Sequence, residues 1–179
     1  MRMSKKNELD AFKVVNEYDE TNLRRVFFDY GELKNAPALS KKIIEAREQN
    51  PIQTTDELKA VLARFLPAHS SNKILAQIYQ AIRIEVNQEM DVLKEFLEQS
   101  LEILKPEGRL SVISYHSLED RLVKRFMKNG LFDGEPERDF FGNFSVPFKL
   151  VGKLIVPTGA EIKINNRARS AKLRIAEKK

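Results

Sequence analysis

RLSVISYHSLEDRLVK, residues Arg109–Lys124, is the stretch on which the fold of this chain turns. Leu110, Val112 and Ile113 make a short apolar run of the kind that forms a buried strand. Pro106, Glu107 and Gly108 stand before it and turn the chain. After it the pattern becomes helical, from Ser117 to about Met127. A strand feeding directly into a helix puts Ser114, Tyr115 and His116 at the strand's C-terminal end, where open α/β sheets bind ligands. Tyr115 offers a flat face to a base, and His116 a donor or acceptor. The same residues also have a plain structural use. Ser117 followed three residues later by Asp120 resembles a capping box, and Glu119 and Asp120 suit the positive end of a helix. Arg121 and Lys124 are then an ordinary solvated face.

Downstream, residues 129–146 are rich in Gly, Asp and aromatics and read as a loop. Phe148–Val156 and Ala171–Ala176 read as strands. Upstream, one long helix is expected from Lys73 to Leu104, with Ile74, Ile78, Ala81, Ile82, Ile84, Leu93, Phe96, Leu97, Leu101 and Leu104 at three- and four-residue spacing. Residues 1–72 read as helical. Asp19 or Thr21 caps a helix that ends near Tyr30, with Gly31 in the left-handed conformation of a C-cap. A second helix runs from Ala38 to Gln49, and Pro51 stops it. Thr54, Thr55, Asp56 and Glu57 offer a capping box for a third helix carrying Leu58, Val61, Leu62 and Phe65. An all-helical segment followed by helix, strand, helix, strand, strand has the order of the closing half of a three-layer α/β domain.

Two further constellations carry polar groups. On a helix, Gln80, Arg83 and Asn87 share one face. That stripe suits a phosphate or neighbouring loops, or else a buried network tethering the helix to the sheet. Near the end, Arg167 and Arg169 precede the last strand, a position that suits phosphate contact or the charge protection of an exposed edge strand.

Charge placement agrees with a polyanion partner. From Lys163 to Lys179 there are seven Lys/Arg against Glu177 alone, whereas the preceding residues carry 24 basic and 25 acidic groups. A basic tail on a neutral body suits RNA, and equally a solubilising terminus. There is no cysteine, which excludes disulfides and thiolate metal sites, and His69 and His116 are too few for a histidine-built zinc centre. No metal is expected. No apolar run reaches membrane-span length, and the N-terminus lacks a secretory signal pattern. A soluble protein of the reducing cytoplasm is the expectation.

Taken in series, these segments resemble the bacterial 16S ribosomal-RNA cytosine-N4 methyltransferases of the RsmH/MraW type. The resemblance lies in SVISYHSLEDRLVKRFMK (111–128), YQAIRIEVNQEM (79–90), LKPEGRL (104–110) and NNRARSAKLRIAEK (165–178), in that order along most of the chain. There are departures. Position 107 is Glu where the family usually has Gly. Residues 73–77 differ from the family's His-Pro-Ala-x-Arg, and the 129–146 loop is not of the usual kind. No two prolines are adjacent, so the Asn/Asp-Pro-Pro-aromatic loop of many amino-methyltransferases is missing. The family's glycine-rich S-adenosylmethionine loop has no counterpart either. Met1-Arg2-Met3 is similar to the middle of a family segment that follows the fourth strand.

The resemblance implies a chain that begins at an internal methionine. Residues 1–72 would be the family's inserted helical domain. Residues 73–179 would be the C-terminal half of a Rossmann-like methyltransferase sheet. It implies methyl transfer from S-adenosylmethionine to N4 of one cytosine in the small-subunit RNA, by in-line attack of the amine after positioning and desolvation. Tyr115 and His116 would stand by the target base, and Arg83 and Asn87 would support the pocket. Ser117, Arg121, Lys124, Arg167 and Arg169 would meet RNA. No cofactor is expected to bind this chain tightly alone, and the chain alone is expected to be inactive. Two other readings are a non-catalytic ribosomal-RNA-binding module and a helical protein-interaction domain. RNA binding falls steeply with salt, which separates it from protein docking.

Overall fold

The computed structural model describes residues 1–3, 8–136, 140 and 144–179. The chain forms two compact units, Met1–Glu89 and Met90–Lys179.

The first unit is helical: α1 (Ala11–Glu17), α2 (Glu20–Asp29), α3 (Ala36–Arg47), α4 (Thr55–Val61) and α5 (Ser71–Asn87). Its starts are written in capping residues. Asp10 accepts from the Lys13 N–H, Asp19 from that of Asn22, and Thr54 from that of Glu57. The Glu57 carboxylate accepts in return from the Thr54 N–H, which completes the expected box. Val14, Leu23, Val26, Phe27, Leu39, Ile43, Leu62, Ile78, Ala81 and Ile82 fill one core.

Two expectations change here. The left-handed residue after α2 is Glu32 (φ 51°), not Gly31. Gly31 is needed for space, because a Cβ there would lie 2.7 Å from the Phe27 carbonyl oxygen. Phe65 lies beyond α4, in a separate 3₁₀ turn over Ala63–Phe65. The first compact unit extends to Glu89 because α5 buries Ile78, Ala81, Ile82 and Val86 in the helical core.

The single helix expected over Lys73–Leu104 is two helices, α5 and α6 (Glu89–Ile103). Gln88 between them is left-handed, with φ 51°. Hydrophobic spacing continues across such a break, because one altered residue leaves the apolar stripes of both helices intact. The Asn87 side chain occupies the α5 end: it donates to the Arg83 and Met1 carbonyls and accepts from the Met3 N–H.

The second unit holds β1 (Arg109–Ser114), α7 (Ser117–Asn129), β2 (Phe148–Leu150), α8 (Gly159–Ile164), a 3₁₀ turn over Asn166–Ser170, and β3 (Lys172–Lys178). The sheet order is β1-β3-β2, and β3 is antiparallel to both neighbours. β1 and β2 therefore run in the same direction. The last strand is central, so its charges do not protect an exposed edge. β1 is not buried on both faces: Leu110 and Ser114 are buried, while Ser111 and Ile113 are exposed. The strand expected over Phe148–Val156 stops at Leu150, because Gly152 turns left-handed (φ 72°). The chain rejoins β3 only at the Ile155–Leu173 bridge.

Leu97, Leu110, Val123, Phe126, Met127, Phe148 and Ala176 make the second core. Phe126 stacks on Phe132 and meets Phe148 edge-on, with centroids 4.9 and 5.9 Å apart. Gly130 closes α7 with φ 72°, its N–H bonded to the Phe126 carbonyl. The Lys178 ammonium donates to the Leu101 and Leu104 carbonyls at the end of α6. Of the loop expected over 129–146, residues 137–139 and 141–143 lie outside the described residues.

Candidate functional site at the end of the first strand

The junction after β1 is held by a capping box one residue earlier than expected. His116, not Ser117, is the N-cap of α7. Its Nδ1 accepts from the Glu119 N–H at 3.4 Å. The Glu119 carboxylate accepts from the Tyr115 N–H at 2.9 Å and from the His116 N–H at 3.4 Å. His116 Nε2 lies 3.1 Å from Glu119 Oε1, but out of line for a hydrogen bond, and is buried without a hydrogen-bond partner among the described residues. Burial would push the Glu119 carboxyl up. The His116 side chain and the two N–H groups outweigh it and hold that pKa below its ordinary value. The imidazole expected beside a target base is thus largely taken up in starting a helix.

Tyr115 is different. Its backbone is fixed by Glu119, while the residue is 57% exposed. An anchored backbone with an open ring makes a stacking platform.

Asp120, read as an acidic group at the positive end of the helix, is buried. The register explains this. Ser114 pairs with Lys172 and Val112 with Arg174, so these residues share one face of the sheet. α7 packs on the sheet, and Asp120 meets both cations. Arg174 donates through Nε at 2.7 Å and Nη2 at 3.1 Å, and Lys172 Nζ lies 3.3 Å away. Burial opposes the charge on Asp120. The hydrogen bonds and charge of Arg174, then of Lys172, overcome it and lower its pKa. Sequence alone shows an acidic first turn; its partners lie more than fifty residues on and are found only through pairing.

Ser117, Arg121 and Lys124 are exposed along α7. Arg167 and Arg169 are exposed on the 3₁₀ turn that Ala168 anchors by its burial. These groups belong to the second unit. Arg83 and Asn87 belong to the first, and both are engaged there. Arg83 forms a bidentate pair with Glu89, at 2.8 and 2.9 Å. Asn87 ties Met1 and Met3 to α5. The polar stripe is a network, but it tethers α5 within its own helical unit and not to a sheet. A separate, unforeseen cluster on α5 is centred on Glu85, which accepts from the Tyr18 hydroxyl at 2.8 Å and Arg25 at 2.7 Å. Burial and that carboxylate push the Tyr18 pKa to about 12.

A cavity of about 760 Å³ lies in the first unit over Lys42, Glu45, Asn50, Glu57 and Val61, and includes none of the expected site residues. Among the described residues no cluster of three His, Cys, Asp or Glu is placed to hold a metal, and no helix is long and apolar enough to cross a membrane.

A small antiparallel sheet, with a strand running into a capped helix and an open aromatic at that strand's end, defines an α/β protein with its candidate site at the C-terminal end of β1. The whole chain, residues 1–179, matches the model of the MraW methylase family, and it belongs to that family. It is 79% identical over 178 residues to a protein of Flavobacterium johnsoniae named Ribosomal RNA small subunit methyltransferase H, covering 99% of this chain and 59% of that one. The protein of the same name from Flavobacterium psychrophilum is 77% identical, covering 100% of this chain and 62% of that one. That from Bacteroides thetaiotaomicron is 52% identical, covering 100% and 59%. The chain thus spans about three fifths of the length of these relatives.

Proposed function

We propose that this chain is the substrate-side part of an S-adenosylmethionine-dependent methyltransferase that modifies N4 of a cytosine in 16S ribosomal RNA of the small subunit. In this reading residues 1–72 are an inserted helical domain, and residues 73–179 are the C-terminal half of a Rossmann-like sheet. The observation that carries it is Tyr115: an exposed ring on a fixed backbone, at the C-terminal end of a strand, in a chain of the MraW methylase family.

Tyr115 stacks on the target base or its neighbour. His116 and Glu119 keep that ring in place by holding the helix start, so His116 is a positioning residue. Ser117, Arg121, Lys124, Arg167 and Arg169 meet the RNA backbone. Arg83 and Asn87 hold the end of α5 and touch no RNA. S-adenosylmethionine supplies the methyl group in the complete enzyme. The cavity beside α7 does not fit it, being lined by cations and aliphatic groups without a carboxylate for ribose hydroxyls. We assign no cofactor contact to that cavity.

The experiment is a pair of substitutions in a full-length family member, read by cytosine methylation of 30S particles. Tyr115→Ala should reduce methylation at least about fivefold, since base–aromatic stacking contributes about 1–3 kcal/mol. Tyr115→Phe should retain it. Unchanged methylation in Tyr115→Ala would remove the base-facing role.

A further inference from the structure

One cavity of the second unit is not explained by the junction. It encloses about 220 Å³ between α7 and the turn that follows β2, and is lined by Lys124, Lys128, Lys153 and Arg174 with Leu150, Val151, Gly152, Leu154 and Ile175. Every charged group in that lining is a cation. Arg174 is committed to Asp120. Lys124, Lys128 and Lys153 form no ion pair with any described residue. Arg125, on the same helix face region, shows the contrast: it is paired with Asp133 at 2.9 Å.

The backbone adds a second, independent observation. Val151 and Ile155 donate to the Ile175 and Leu173 carbonyls, but the N–H groups of Gly152, Lys153 and Leu154 between them donate to no described residue. Gly152 is left-handed, and a Cβ there would meet nothing within 4 Å, so the turn is open at that point. Successive unspent N–H groups in such a turn form an anion-binding concavity. The aliphatic side chains of Leu150, Leu154 and Ile175 line the same space.

We infer that this cavity seats one nucleotide of an RNA strand, its phosphate held by Lys124, Lys128, Lys153 and the N–H groups of the Gly152 turn, its base resting on Leu150, Leu154 and Ile175. The chemistry favours this occupant. Unpaired ammonium groups meet a phosphate as point charges with rotatable donors, and N–H groups add direction. An aliphatic floor accepts any base without reading its sequence. The site rests on the RNA reading above and extends it to Lys128 and Lys153. It fixes the strand and leaves base choice to the region of Tyr115.

The test uses the 179-residue chain with a fluorescent single-stranded RNA, its affinity followed across salt, and, separately, pyrophosphate titrated against backbone amide signals. Each phosphate contact contributes about 0.7 to the slope of log affinity against log salt for single strands. Lys128→Gln and Lys153→Gln, which share that phosphate with Lys124, should each lower the slope by part of that amount. Lys149→Gln makes the same charge change on β2 outside the cavity and should leave the slope nearly unchanged. Pyrophosphate should move the signals of Gly152, Lys153 and Leu154. If RNA binds with a salt slope that all three variants lower equally, or not at all, the nucleotide seat is overturned while the RNA reading stands. If the wild-type chain shows no salt-dependent RNA binding, the RNA reading falls and the nucleotide seat with it. Movement of the three amides by pyrophosphate alone would then mark a free-oxyanion site instead.

Discussion

Arg174 on β3 grips Asp120 on α7 through two parallel hydrogen bonds, Nε to Oδ1 at 2.7 Å and Nη2 to Oδ2 at 3.1 Å. This fork joins the helix that starts at the candidate site to the central strand of the sheet, and Lys172 adds a second cation to the same carboxylate. The Asp120 and Arg174 side chains are 11% and 17% exposed, so neither is freely solvated.

Asp120→Ala should therefore be among the more destabilising polar substitutions in the second unit. Removing one partner of a largely buried pair leaves the other charge uncompensated, at a cost of about 3 kcal/mol. Urea unfolding should show a lower midpoint with the slope unchanged. A loss under about 0.5 kcal/mol, the range of ordinary surface changes, would mean that the pair is solvated in solution.

The same carboxylate predicts a pH dependence. Asp120 and Glu119 both have pKa values held below the ordinary carboxylate range. A depressed native pKa means the unfolded chain binds protons first as pH falls. The stability is fully present above the unfolded value, about 4, and is lost as pH drops through the lower native values. Urea midpoints should hold from pH 7 to 5 and fall below pH 4. Asp120→Asn should be less stable than wild type at pH 7 and lose less on acidification. Equal losses in the two proteins would assign the acid response to other groups.

His116 yields a prediction that separates capping from chemistry. Asn is among the best N-cap residues and Ala among the poorest, a difference of about 1 kcal/mol. His116→Ala should lower stability by about that amount, while His116→Asn should change it little. Carried into a full-length family member, His116→Asn should retain methylation of 30S particles. If Asn and Ala abolish methylation alike while the protein stays folded, the imidazole has a role beyond starting α7.

How legible this was in the sequence differs from residue to residue. The strand–helix junction was readable because β1 and α7 are set by local patterning, and the Thr54–Glu57 box because its partners are three residues apart. Which residue caps α7 was not, because His116 is an uncommon cap and Ser117 a common one. The break at Gln88 was hidden because a single left-handed residue preserves the apolar periods on either side. The Asp120 cluster and the lysine-lined cavity were out of reach for another reason. Both depend on β3 passing between β1 and β2, and that order is not a local property of any segment.

Glu107 and Gly108 stand side by side before β1, and they predict opposite outcomes. Glu107 has φ 65°, a left-handed conformation that disfavours a side chain, while its N–H bonds to the Lys178 carbonyl at 2.8 Å. Glycine would keep that hydrogen bond and relieve about 1–2 kcal/mol of strain. It would give back about 0.4–1 kcal/mol through a freer unfolded chain. Glu107→Gly should thus stabilise the protein by about 0.5 kcal/mol. Gly108 has no left-handed φ, but its Cβ would lie 2.8 Å from the Lys105 carbonyl oxygen and 3.1 Å from Leu104 Cδ2. Backbone cannot retreat from that contact cheaply, so Gly108→Ala should destabilise by more than about 1 kcal/mol. Thermal midpoints of the two variants should fall on opposite sides of the wild type. If Glu107→Gly melts lower, the left-handed turn is held by the Glu107 side chain and not merely tolerated by it.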